Sequence, residues 1–254
     1  MRTPSNRFRA AALHLGISMV IAACVFLSVR QLWYPGALYD SAGGRDLFLL
    51  IVTVDVVLGP LITLIVYRPG KPGLRFDMTT IAVLQLAALG YGLWSLSLSR
   101  PVYVVFVKDR FELTRASDID SADLEKARGT PYQRLPWTGP GYIGVTFPKD
   151  PNEQFELMNS ASAGKDIHTY PRYFAPYERT ASVAAAKAQP LAALRRFNAG
   201  RDAEIAALPA KYGRAEAELA FLPLKTGKAD VTVILGARDG AILGLERLTP
   251  WEYR

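Results

Sequence analysis

At 254 residues the chain has room for one large domain or two modest ones; it is 50% apolar, and its mean hydropathy of +0.11 is high for a water-soluble protein. The net charge of +7 is unevenly held: residues 1–100 carry nine Lys/Arg against four Asp/Glu, and residues 101–254 carry twenty-one against nineteen. Most of the excess therefore flanks the apolar half, where it serves membrane orientation and argues against nucleic acid as a partner. A lone cysteine, Cys24, excludes an intramolecular disulfide, so the second half must rest on its hydrophobic core.

Three stretches are long and apolar enough to cross a bilayer core of about 30 Å, which takes about 20 residues. The first runs over about 11–32 and ends in Arg30, Trp33 and Tyr34, side chains suited to the interface. Ile21-Ala22-Ala23-Cys24 within it has the look of a lipoprotein cleavage site. Val25-Phe26-Leu27 continues the apolar run, however, so an uncleaved anchor is expected. The second runs over 47–67 with one charge, Asp55, and the third over 78–99 with none. Arg2, Arg7, Arg9, Arg68, Lys71 and Arg75 lie on one side and only Arg30 and Arg45 on the other. The count predicts a cytoplasmic N-terminus and residues 101–254 outside, with Arg100, Lys108 and Arg110 opposing it weakly.

Asp55 is the most informative residue of the first half, because a carboxyl at mid-membrane costs at least about 2.5–3.5 kcal/mol. Two readings stand: a contact with a partner's membrane helix, or an internal bond, with Tyr91 of the third helix at similar depth as the candidate donor. Gly59-Pro60 is expected to kink or open the second helix, and Ala87, Ala88, Gly90 and Gly92 give the third a small-residue face.

Beyond residue 100 the pattern predicts an extracytoplasmic α+β domain, 101–254, following a transmembrane domain, 1–100. Strands are expected at 102–107, 110–115, 142–147, 218–224, 230–236 and 241–247. Helices are expected at 119–128, 151–162 and over 180–212 with breaks at Pro190, Gly200 and Pro209. The segment 168–177 concentrates Tyr170, Tyr173, Phe174 and Tyr177 with two prolines, either as rings offered to a protein partner or as cover for the domain's own helices. Catalytic patterns fail: Gly139, Gly141 and Gly144 precede a strand instead of following one, and His168 has no cysteine or second histidine beside it. No enzyme activity, cofactor, metal or small-molecule substrate is expected. A membrane-anchored sensor acting through a separate protein is the alternative, handicapped by short cytoplasmic parts.

Four blocks taken together, YPGALY at 34–39, VDVVLGPLITLIVYRPGKPGLRFD at 54–77, IAVLQLAALGYGL at 81–93 and RPVYVVFVKDRFEL at 100–113, resemble the TfpX/TfpZ family of type IV pilin accessory proteins. PLKTGKADVTVIL and Pro250-Trp251 are similar to that family's ending, whereas 115–215 carries no matching motif. The resemblance implies a multi-pass bacterial inner-membrane protein with a chaperone-like role, supporting the cognate major pilin in stability, assembly or pilus dynamics. It implies the pilin and membrane lipids as partners and brings no catalytic residues. Asp55, Gly59, Pro60 and Tyr91 in the membrane, and Tyr170, Tyr173, Phe174 and Tyr177 outside it, are the candidate partner-binding residues.

Overall fold

The computed structural model describes residues 5–252; Arg2 of the basic tail lies outside them. Three helical spans lead the chain: Asn6–Trp33, Gly44–Val66 and Leu74–Ser99, of 28, 23 and 26 residues. At 1.5 Å per residue each is longer than a hydrocarbon core of about 30 Å. The first is α1 (Ser5–Ser28) prolonged by a π-turn over Val29–Trp33. A short α2 (Leu38–Ser41) follows in the loop. The second span is α3 (Gly44–Val52), a π-helical stretch Thr53–Leu58 and α4 (Gly59–Val66); the third is α5 (Leu74–Ser99). All three begin several residues before the apolar runs do. Polar residues such as Asp46 and Asp77 keep helical hydrogen bonding in the flank, so hydropathy marks the apolar stretch and not the ends of the helix. Leu13, Val20, Leu50, Ile65, Leu84 and Leu86 are all exposed on the spans, an apolar surface that water would not tolerate and lipid would.

The third span runs straight into β1 (Pro101–Val107), which turns at Lys108, a residue in the left-handed region (φ 58°), into β2 (Arg110–Arg115). After a 3₁₀ turn come α6 (Ser121–Lys126), β3 (Gly141–Val145) and α7 (Pro151–Ser162). Asp150 caps α7 by accepting from the Asn152 amide, and Pro151 occupies the first turn, where its missing N–H costs nothing. The aromatic segment forms two 3₁₀ turns and β4 (Phe174–Pro176). Then follow α8 (Ala181–Lys187), β5 (Gln189–Pro190), a 3₁₀ stretch, α9 (Asp202–Tyr212), β6 (Leu219–Lys225), β7 (Val231–Gly236) and β8 (Ile242–Glu246). Pro209 does not break the helix as expected: it sits in the last turn of α9, where one lost hydrogen bond is tolerable before the Gly213 cap (φ 62°).

The strands form one mixed sheet in the order β4-β3-β1-β2-β6-β7-β8, with β5 also on β6. Its middle seam is short. Parallel β2 and β6 meet only at Phe111–Leu224 and Glu112–Lys225 before β5 takes over that edge of β6.

Alternation along the strands separates two faces. Val104, Phe106, Phe111, Leu113, Leu222, Leu224, Val231, Val233 and Leu235 form one core with Val29 and Trp33 at the end of the first span and Tyr34, Ala37, Leu38, Tyr39 and Ala42 of the first loop. The opposite face carries two cores. One gathers Tyr103, Val105, Ile143, Leu157 and Phe174; the other gathers Leu191, Leu194, Ile205, Phe221 and Ile234. Packing therefore crosses the expected boundary at residue 100. The loop after the first span belongs to the sheet's core, because Tyr34 and Leu38 are wholly buried there and no span of three helices alone would bury them. Thr226 Oγ1 donates to the Ser41 carbonyl (2.9 Å), and Lys228 pairs with Asp46, so the join is polar at its rim.

Candidate functional site

The polar residues of the spans converge on the second helix. Asp55 stands at the centre of the Gly44–Val66 span, inside the π-helical stretch, and is 7% exposed. The local sequence explains the wide turn. The Gly59 amide donates to the Val54 carbonyl, five residues back, and the next residue, Pro60, has no N–H to offer Asp55. The Asp55 carbonyl is reached instead from the third span, by Gln85 Nε2 at 3.1 Å. Gly59 is required for that approach, since a Cβ there would overlap the Gln85 amide. In hydrocarbon a freed carbonyl needs such a donor. The expected opening at Gly59-Pro60 thus takes the form of a π-stretch closed by a side chain.

Around this point His14 Nδ1 and Thr63 Oγ1 share a hydrogen bond of 2.6 Å between the first and second spans. His14, Ser18, Asp55 and Gln85 line a cleft of about 190 Å³ together with Ile17, Leu86 and other apolar residues. The buried Asp55 Oδ1 has no hydrogen-bond partner. Towards the N-terminal end the cleft shares His14, Ile17 and Ala82 with a second one of about 600 Å³ that reaches Arg9 and Tyr67. The arrangement offers a hydrogen-bond acceptor and a row of polar groups to something entering from the side of the bundle.

Tyr91, the expected partner of Asp55, is not there. Its side chain is 67% exposed and lies beside Trp94, with ring centroids 5.7 Å apart. Depth along the helix put Tyr91 level with Asp55, but its rotation about the axis turns it outward. Gly92, next to it, is the residue that faces the second span; a Cβ there would stand 2.5 Å from Ile51 Cγ1. Gly90 meets nothing within 4 Å, so the small-residue face serves close packing only in part.

In segment 168–177 burial favours cover for the domain itself over rings offered to a partner. Tyr173, Phe174 and Tyr177 are buried, the first two in the core with Tyr103 and the third against Phe111. The Tyr177 hydroxyl donates to the Gly240 carbonyl (2.6 Å), and burial raises its pKa. Tyr170 is half-buried, its hydroxyl beside Ser160 Oγ and Arg172 stacked on its ring. Four aromatics with two prolines signal a shaped segment, and here the shape fills the domain's interior. His168 is held beneath the sheet, where Thr114 Oγ1 donates to its carbonyl (2.7 Å) and burial lowers its pKa. Among the described residues no three His, Cys, Asp or Glu side chains stand close enough to hold a metal.

Sequence reasoning singled out Asp55, Gly59 and Pro60, which the structure does bring together, and passed over His14, Ser18, Thr63 and Gln85. The signal for these was present: each is a hydrogen-bonding residue inside an otherwise apolar run.

Comparison with known proteins finds relatives over 72% of the chain. The fimbrial assembly protein of serogroup I from Dichelobacter nodosus is 31% identical over 186 residues, 72% of each chain. The chain belongs to the fimbrial assembly protein family. The serogroup E1 protein of the same organism is 30% identical over the same coverage, and that of serogroups C1 and C2 is 33% identical over 121 residues, 47% of this chain and 92% of the relative. The family model described as fimbrial assembly protein FimB matches residues 3–37, a window that holds His14 and Ser18 of the cleft and Tyr34 of the buried loop. No solved structure matches the chain.

Proposed function

We propose that the protein is a multi-pass inner-membrane accessory of type IV pilus assembly, of the TfpX/TfpZ kind, acting by chaperone-like contact with its cognate pilin. The observation that carries this reading is the family relation to proteins named for fimbrial assembly, over 72% of each chain. The architecture supports contact at two levels. Three spans long enough to cross a bilayer are fixed to a sheet domain through a shared core, so a pilin anchored by one apolar helix meets a helix surface and a head-facing domain held in one geometry.

The basic residues Arg7, Arg9, Arg68, Lys71 and Arg75 favour a cytoplasmic N-terminus and a periplasmic sheet domain. Arg100, Lys108 and Arg110, which opposed that count, are engaged within the domain. Arg100 donates to the Ser97 and Pro136 carbonyls and lies over Trp137; Lys108 lies over Phe147, and Arg110 over Trp251. Their places are thereby accounted for by folding.

Deletion of the gene is expected to lower the cognate pilin level or surface piliation, and the tagged protein is expected to bring pilin down from detergent-solubilised membranes. Normal pilin, normal pili and no complex would end this reading. A reporter fused at the C-terminus tests the orientation separately.

A further inference from the structure

We infer that the cleft between the first and third spans is a lateral docking groove for the membrane helix of the pilin, which donates a hydrogen bond to Asp55 at mid-bilayer. The pilin as occupant rests on the proposed function; the groove and its chemistry rest on the structure alone. The first and third spans each pack on the second and make little contact with one another, so the second forms the floor of a trough open to lipid. The two clefts that share His14, Ile17 and Ala82 make the trough continuous from Arg9 to the depth of Asp55, about the reach of half a membrane helix. At its deep end Asp55, more than nine-tenths buried, lines the cleft with Oδ1 unpartnered.

A buried acceptor without a donor is expensive, more so where no water reaches it. None of the cleft's own polar groups pairs Oδ1: Gln85 Nε2 donates to the Asp55 backbone, His14 Nδ1 and Thr63 Oγ1 bond each other, and the buried Ser18 hydroxyl makes no bond to it. Lipid chains have no N–H or O–H, so they fill the trough without pairing Oδ1. An apolar helix carrying one side-chain donor does both, completing a four-helix packing around the floor.

A photo-reactive phenylalanine placed at Ile17 or Leu86, on the trough walls, should crosslink to the pilin in cells, while the same group at exposed Ile65 or Leu84 should not. Asp55→Leu should cut the yield about three- to ten-fold, the worth of one interhelical hydrogen bond. Its melting midpoint in detergent should hold or rise, because an unpaired acceptor has gone. A lowered midpoint with unchanged crosslinking would make Asp55 purely structural and overturn the inference. A product of twice the chain's mass, lipid adducts alone, or pilin captured only from Ile65 or Leu84 would overturn it too. Pilin that still co-purifies in any of those outcomes leaves the assembly role standing, so the two failures are distinct.

Discussion

The two faces of the sheet are built on different plans. The face towards the spans is one continuous apolar core in which residues from the first loop, Tyr34 and Leu38 foremost, are as deeply buried as those of the strands. The far face splits into two cores on either side of the short β2–β6 seam, and polar groups occupy the interval. Glu112 on β2 is one of them. Loss of solvent raises its carboxyl to about 7, against the pull of Lys225 and Arg110. The contrast teaches that the domain is stabilised where it grips the helices and less completely optimised where it faces away. Rigid coupling of helices to domain is then a property of the core itself.

The largest effect should come from emptying the near face. Tyr34→Ala removes a fully buried ring from the loop and leaves a cavity against Gly44, whose backbone the ring touches; a cost of about 3–5 kcal/mol is expected. Limited proteolysis should then cut within 101–252 at a temperature where the parent chain resists, although the substitution lies before the second span. Protease resistance equal to the parent would mean that the loop is a passive lid.

The far face should respond to pH. A carboxyl whose folded pKa lies above its unfolded value adds stability that is complete below the unfolded pKa, near 4.5, and is lost as pH rises through about 7. Discounted for its partial exposure, Glu112→Gln should raise stability at pH 8 by about 1–2 kcal/mol and leave it unchanged near pH 4. Melting curves of the two proteins across that range should converge at the acid end. Parallel curves would show that Glu112 is solvated as an ordinary carboxylate.

The smallest effect belongs to the rim of the near face. Lys228 pairs with Asp46 and Arg247 with Asp40 across the join, but both pairs are largely exposed. Lys228→Ala should cost under about 1 kcal/mol, and the difference should vanish in about 1 M salt. A larger, salt-resistant loss would locate the grip in charge instead of in the apolar core.

Much of this fold is legible in sequence because its signals are local. The spans announce themselves by length and hydropathy, the β1–β2 hairpin by an apolar run and an alternating one around Lys108-Asp109, and α7 by Asp150-Pro151 at its start. Asp55 and Gly59-Pro60 are conspicuous for the same reason, each being costly where it stands. What fails is anything that depends on rotation or on distant packing. Tyr91 is turned away from the second span, and the rings of Tyr173, Phe174 and Tyr177 face inward because they pack on residues of β1, β2 and β3. YPGALY at 34–39 reads as a connecting loop, and nothing within six residues says that a sheet assembled from residues 101–246 will close over it.

Three apolar spans, a basic side and an α+β domain after them can be read from local sequence, since hydrophobic period and charge are properties of neighbouring residues. Long-range packing added that the first loop is part of the domain's core, that Gln85 closes the π-turn Pro60 leaves open, and that the buried Asp55 Oδ1 has no partner beside the cleft. The first two are contacts between segments about thirty or more residues apart, and all three are fixed by which faces the whole chain can bury at once.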